Sequence, residues 1–294
     1  MTNTIAIQVT KSFLPPIDEY TKLLQSVWDM QQLTNGGHLL LKLIDELKSF
    51  LDIPHLLVTT NGTISLQLAI KALGLTGEII TTPFSYIASS SSIVWEGCRP
   101  VFVDIEPDSL CIDAHKIEEA ITDQTTAILA THVFGNPCDV ATIKAIANKH
   151  NLKIIYDGAH AFGVQYLGES IFNFGDISIC SFHATKIFHT AEGGCLMTQD
   201  ENLLKKLIWL HNFGHSGQED FYGPGTNAKA TELQAAMGLA VLPHVNTLIE
   251  CRKQRALMYD TLLAKSNLQR IRTRGGASQN YAYYPVLFKN EQLM

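Results

Sequence analysis

The sequence predicts an α/β fold: a mostly parallel central sheet with helices on both faces, followed by a second, smaller domain. Three observations carry this reading. Short apolar runs alternate with helix-like stretches from about Thr59 to Thr198. Several of those runs are apolar on consecutive residues, which marks strands covered on both faces. Strand, helix, strand in alternation gives a parallel sheet, because each crossover helix carries the chain back to the starting end. The third observation is a change of character near Asn246, where a long polar helix pattern begins.

Taken in order, Leu39–Leu51 reads as a helix in an N-terminal segment. The predicted strands are Glu78–Thr82, Val101–Asp104, Ala127–Thr131, Ile154–Asp157, Ile177–Ser181 and Cys195–Thr198. Ser65–Leu73, Ala114–Ile121 and Val140–His150 read as the helices between them, with an apolar helix at Leu233–Leu239 further on. Thr247–Lys265 is a polar helix carrying Arg252, Lys253 and Arg255. A loop, Arg274–Gln279, and a strand-like run, Tyr281–Phe288, follow. The expected division is a large domain over residues 1–245 and a small domain over 246–294, short of its full length.

Composition narrows the function. Hydrophobic residues make up 46% and charged residues 17% of the 294, an ordinary globular balance. A net charge of -6 with no long basic run offers no track for a phosphate backbone, so no nucleic-acid partner is expected. No apolar stretch is long enough to span a bilayer, and the opening MTNTIAIQVTKSF has no leader pattern. A cytoplasmic protein with no membrane partner is expected. Cysteines 98, 111, 138, 180, 195 and 251 form no CxxC pair, so no metal site is expected; Cys180 and Cys195 read as small buried hydrophobes.

Three places carry chemistry. Thr60-Asn61-Gly62-Thr63 opens an apolar helix, where free backbone N–H groups and the helix dipole suit an anion. The same residues also make an ordinary N-cap. Asp157 ends an apolar strand, at the edge where open α/β sheets bind ligands, with His160 three residues on. It suits a protonated pyridine nitrogen, and equally a cap for the next turn. In the third place, Ser181-Phe182-His183-Ala184-Thr185-Lys186 is a polar turn after a strand. A desolvated lysine there has a lowered pKa and is ready to bond a carbonyl carbon. Anion cradle, strand-end Asp and Lys with a nearby Ser, in that order, are what pyridoxal phosphate needs for its phosphate, ring nitrogen and aldehyde.

These segments resemble the pyridoxal-phosphate-dependent sugar aminotransferases of the DegT/StrS family, from about Leu33 to Pro243. The most specific is SFHATKIFHTAEGG (181–194), with TTNGT (59–63), TPFSYIASSSSI (82–93), THVFGNPCDV (131–140), YDGAHAFG (156–163) and GTNAKATELQAAMGL (225–239) in support. Six ordered segments weigh far more than one. The resemblance implies an aspartate aminotransferase-like fold and Lys186 as the catalytic residue and covalent anchor of the cofactor. It implies Asp157 on the pyridine nitrogen, Gly62, Thr63 and Ser181 on the phosphate, Tyr86 on the ring face and His160 at the ring edge. Asn227 is expected at the phosphate of a neighbouring subunit, which implies a homodimer with shared sites. The implied substrates are a nucleotide-linked keto sugar and an amino-acid donor; the wording is closest to members acting on dTDP-4-keto-6-deoxyglucose with glutamate. Gly158 stands where the family more often has Ala. Sugar dehydratases of the same fold carry His in place of the lysine, which Lys186 argues against. A non-catalytic family member and a nucleotide-binding module remain as alternatives, the latter without GxGxxG or P-loop spacing.

Overall fold

A computed structural model describes residues 10–266 and 268–288. Two helices come first. α1 (Ile17–Met30) carries Asp18 and Glu19 in its first turn, where the helix dipole favours acids. α2 (His38–Leu51) buries Leu39, Leu40, Leu43, Leu47 and Leu51, whose spacing of three and four sets them on one face. The α/β body then runs β1 (His55–Thr59), α3 (Gly62–Ala72), β2 (Glu78–Thr81), α4 (Ile87–Trp95) and β3 (Arg99–Phe102). It continues through α5 (Ala114–Ile117), β4 (Thr125–Thr131), α6 (Val140–His150), β5 (Lys153–Asp157), β6 (Ile177–Ser181) and β7 (Gly194–Thr198). α7 (Glu201–His211), α8 (Glu232–Val241) and α9 (Val245–Leu263) follow.

Among the described residues, these seven strands form one sheet in the order β1-β7-β6-β5-β4-β2-β3. From β3 to β6 every neighbouring pair is parallel; β7 runs antiparallel to β6 and to β1. The mostly parallel sheet is as expected, and the side chains show why its strands read as continuous apolar runs. Ile128, Ala130, Ile154 and Tyr156 enter one buried cluster, while Ala127, Leu129 and Ile155 enter the other. Successive residues of β4 and β5 thus point into two separate cores.

Four expectations need correction. The run Val101–Asp104 is paired only over Arg99–Phe102, and it is an edge strand with Phe102 53% exposed, not a strand covered on both faces. The helix expected over Ala114–Ile121 is α-helical only to Ile117 and ends in a 3-10 turn, Glu118–Ala120. α3 starts at Gly62, before the expected Ser65, because Asn61 caps it. Of Tyr281–Phe288, only Val286–Leu287 pairs, with Gln269–Arg270. The Asn280 Oδ1 accepts from the Ala282 N–H at 3.0 Å and Tyr281 has φ 52, so the chain turns there instead of extending.

Candidate active site

A cleft of about 1220 Å³ opens at the C-terminal ends of the parallel strands, where open α/β sheets bind ligands. Every site residue expected from the sequence borders it: Gly62 and Thr63, Tyr86, Asp157 and His160, Ser181 and Lys186, and Asn227. Tyr86 is 77% exposed, at the rim. Asn227 is exposed too and reaches the cleft from the loop before α8.

The anion cradle is built by close approach of backbone. Asn61 caps α3, its Oδ1 accepting from the Ile64 N–H at 2.9 Å. That leaves the N–H groups of Gly62 and Thr63 with no acceptor among the described residues. A Cβ on Gly62 would lie 3.1 Å from the Ser181 Cβ and 3.4 Å from its Oγ, so the Ser181 hydroxyl faces the helix start. β7 passes closer still: a Cβ on Gly194 would lie 2.6 Å from the Gly62 nitrogen and the Asn61 carbonyl carbon. Only glycine lets the strand and the helix terminus meet there.

Asp157 is 4% exposed and held from two sides. Ser89 Oγ donates to its Oδ2 at 2.7 Å, and the Ala159 N–H donates to its Oδ1 at 3.0 Å. Burial pushes its carboxyl above the ordinary range, opposed by these two donors and by the Lys186 charge. A Cβ on Gly158 would lie 2.6 Å from the Phe172 ring, so an alanine does not fit there unless that ring moves.

Lys186 sits in the turn after β6, its N–H bonded to the His183 carbonyl at 2.9 Å. The side chain is partly buried, and burial lowers its pKa against the opposing pull of Cys180 and Asp157. His160 is pushed down to about 3 by burial and then by the Lys186 charge, so its ring is neutral at ordinary pH. Around the lysine, His183 Nδ1 and Thr185 Oγ1 are 2.9 Å apart, and His183 Nε2 is 3.5 Å from Glu192 Oε1.

Three further groups were not singled out from the sequence: Phe134 and Tyr283, which border the cleft, and Ser89, which lies behind it on Asp157. Ser89 lies in the serine run of α4, and a buried polar residue on a helix is the signal that marks it. Phe134 has φ 55, a left-handed conformation that no periodicity reveals in advance. Tyr283 arrives from the C-terminal segment, where the strand-like pattern concealed a turn.

The donor set fits pyridoxal phosphate. Two unpaired N–H groups and a hydroxyl suit its phosphate, a buried carboxylate suits its ring nitrogen, and a desolvated lysine suits its aldehyde. Among the described residues no group of His, Cys, Asp and Glu has metal-binding arrangement, and no helix is long and apolar enough to cross a membrane.

The sequence matches the DegT/DnrJ/EryC1/StrS aminotransferase family over residues 17–293. It is 41% identical, over 97% of this chain and 78% of the relative, to a dTDP-4-amino-4,6-dideoxy-D-glucose transaminase of Shigella dysenteriae. It is 38% identical, over 97% of this chain and 77% of the relative, to the transaminase of that name in Escherichia coli. The fold matches that of DesI, solved in the presence of its TDP-sugar product, with a TM-score of 0.91 at 32% identity over 95% of this chain and 72% of DesI. It matches Helicobacter pylori PseC, an aminotransferase involved in the biosynthesis of pseudoaminic acid, with a TM-score of 0.90 at 27% identity over 97% of this chain and 78% of PseC. These matches, on a fold whose cleft fits pyridoxal phosphate, make the chain a member of the DegT/DnrJ/EryC1/StrS family and a pyridoxal-phosphate-dependent aminotransferase.

Proposed function

We propose that the chain moves an amino group from an amino acid, glutamate, onto the nucleotide-linked keto-deoxy sugar dTDP-4-keto-6-deoxyglucose. The grouping of Lys186, Asp157 and the first turn of α3 about one cleft carries the reaction class. The likeness to the two dTDP-4-amino-4,6-dideoxy-D-glucose transaminases supports the choice of sugar.

In this reading Gly62, Thr63 and Ser181 bind the cofactor's phosphate, Tyr86 covers its ring face and His160 serves the ring edge. Asp157 keeps a proton on the pyridine nitrogen, with Ser89 and the Ala159 N–H favouring the charged carboxylate. When bound, pyridoxal phosphate supplies an electron sink for the negative charge left as a C–H bond breaks. Lys186 is both covalent anchor and base. Its Nζ, which burial makes easier to deprotonate, takes the proton from the donor's α-carbon and delivers one in the reverse sense on the sugar. The neutral His160 adds no second positive charge beside it.

A second copy of the chain belongs to the same proposal. Ile87, Val94 and Trp95 of α4 are 67%, 60% and 79% exposed, beside Tyr86 at the cleft rim. An apolar face of that kind is one that association covers. A cleft set near a two-fold axis also brings Asn227 toward the neighbour's phosphate. A Trp95→Glu variant that sediments as the wild type does would remove this part. The setting is cytoplasmic, where the six free thiols stay reduced.

The test is reduction with sodium borohydride after adding pyridoxal phosphate, followed by peptide mapping, together with the visible spectrum before and after glutamate. The label is expected on Lys186, and Lys186→Ala is expected to lose turnover. A label on another lysine, or no visible band, rejects the reading.

A further inference from the structure

One wall of the cleft is aromatic, and part of it comes from far along the chain. The His160 ring lies parallel to Phe134, with centroids 6.1 Å apart at 6°, and tilted against Tyr283 at 4.7 Å and 53°. Phe134 and Tyr283 touch in turn at 5.4 Å. All three border the cleft. Phe134 holds a left-handed φ of 55, and Tyr281, two residues before Tyr283, one of 52. Bulky residues avoid that conformation, so the surrounding contacts must fix it.

Those contacts are visible. Residues 276–283 lie as a strap across the loop that carries His160. Leu167 N–H donates to the Gly276 carbonyl at 3.0 Å, and Ser278 N–H to the Gln165 carbonyl at 2.8 Å. The Gln165 N–H returns a bond to Ser278 Oγ at 2.8 Å. Asn280, 3% exposed, donates through Nδ2 to the carbonyls of His160 at 2.8 Å and Phe162 at 3.0 Å. Arg252 Nη1 holds the Ala282 carbonyl at 2.9 Å, tying the strap to α9. The backbone of His160 is therefore clamped by Asn280 and its ring is packed by Tyr283.

We propose that Tyr283 and Asn280 are positioning residues, which act through His160 to set the aromatic wall of the cofactor cleft. The sheet alone does not hold that wall; the strap does. The inference rests on the reading of the cleft as the pyridoxal-phosphate site. It adds that the affinity for the cofactor is tuned from the C-terminal segment.

The experiment compares wild type, Tyr283→Ala, Tyr283→Phe, His160→Ala and the double variant Tyr283→Ala/His160→Ala. Two quantities are measured: the pyridoxal phosphate Kd from the visible band, and the titration of the His160 imidazole by NMR in cofactor-free protein. Tyr283→Ala is expected to weaken the cofactor by about 3- to 10-fold, the worth of an aromatic pair. Tyr283→Phe keeps the ring and is expected to restore the affinity. The double variant is expected to bind no worse than His160→Ala, because Tyr283 acts through that ring. In cofactor-free Tyr283→Ala the imidazole midpoint, held near 3 by burial, is expected to rise toward 6.5. If Tyr283→Ala does not fold, Tyr283→Leu keeps the bulk without the aromatic face and is read in the same way. An unchanged Kd with an unchanged imidazole midpoint overturns the proposal, as do additive losses in the double variant. A wild type with no visible band overturns the cofactor reading instead, and the imidazole titration then decides the strap by itself.

Discussion

Ser89 donates its hydroxyl proton to Asp157 Oδ2 at 2.7 Å, and both side chains are buried. α4 thereby reaches the carboxylate that ends β5. The bond opposes the burial that raises the Asp157 pKa. In Ser89→Ala the pKa rises further, and less of the carboxylate is charged at a given pH. The acid limb of kcat/KM is expected to move to higher pH, and the affinity for pyridoxal phosphate to fall about tenfold, as for loss of one bond to a charged group. A pH profile that superimposes on the wild type refutes this role.

Gly194→Ala places a methyl group against the Asn61–Gly62 peptide, which cannot step aside without moving the start of α3. Overpacking of this kind costs about 1–3 kcal/mol. The cradle is expected to suffer before the fold does, so the free energy lost in cofactor binding exceeds that lost in unfolding. Spectral titration and thermal unfolding of one preparation give both numbers. Unaltered cofactor affinity speaks against a cradle at this place.

His132 is fully buried, stacked on Tyr156 at 4.7 Å, with Nδ1 accepting from the Cys138 N–H at 3.1 Å. Burial pushes its pKa down from 6.5 to about 3. The unfolded chain thus takes up a proton that the folded chain refuses. The stability this contributes is full above 6.5 and is lost as the pH falls toward 3. At about 1.4 kcal/mol per unit, the wild type loses about 2 kcal/mol from this group by pH 5. His132→Gln keeps an acceptor for Cys138 and does not titrate, so its loss between pH 7 and 5 is expected to be smaller by that amount. Urea unfolding at the two pH values measures the difference; equal losses exclude His132 as the source.

Glu232 is fully buried and accepts from the N–H groups of Leu39 at 2.8 Å and Leu40 at 3.1 Å. It caps α2 from the start of α8, in place of the side chain that Gly37 lacks. Glu232→Ala leaves both donors unpaired and is expected to cost on the order of 3 kcal/mol. Glu232→Gln accepts one donor and opposes the other, so an intermediate loss is expected in denaturant unfolding. A neutral Glu232→Ala contradicts this account of the cap.

The sheet was legible because consecutive apolar residues such as Ile128-Leu129 and Ile154-Ile155 serve two cores at once. That the expected residues border one cleft was legible because they fall at element ends: Gly62 where a helix begins, Asp157 where a strand ends, Lys186 in the turn after one. β1 (His55–Thr59) was not among the predicted strands. α4 was hidden by its serines, which favour turns and caps in isolation; Ser89 and Ser92 are buried here. Tyr283 was missed for a related reason. The turn at Asn280–Ala282 depends on carbonyls of His160 and Phe162, which the local sequence does not contain.

The strap over His160 also imposes an order in time. Ribosomes add residues from the N-terminus, so Gln165 and His160 emerge 113 and 120 residues ahead of Ser278 and Asn280, which clamp them. At about 5–20 residues per second that is an interval of roughly 6–24 s. Throughout it the nascent sheet can form while the Phe134–His160 wall stands uncovered. On the pyridoxal-phosphate reading of the cleft, cofactor meeting the chain in that interval would find the cradle and Asp157 in place but the wall loose. Binding of pyridoxal phosphate before the strap emerges would then be weaker by about the 3- to 10-fold expected of Tyr283→Ala, and would tighten once translation has passed residue 283.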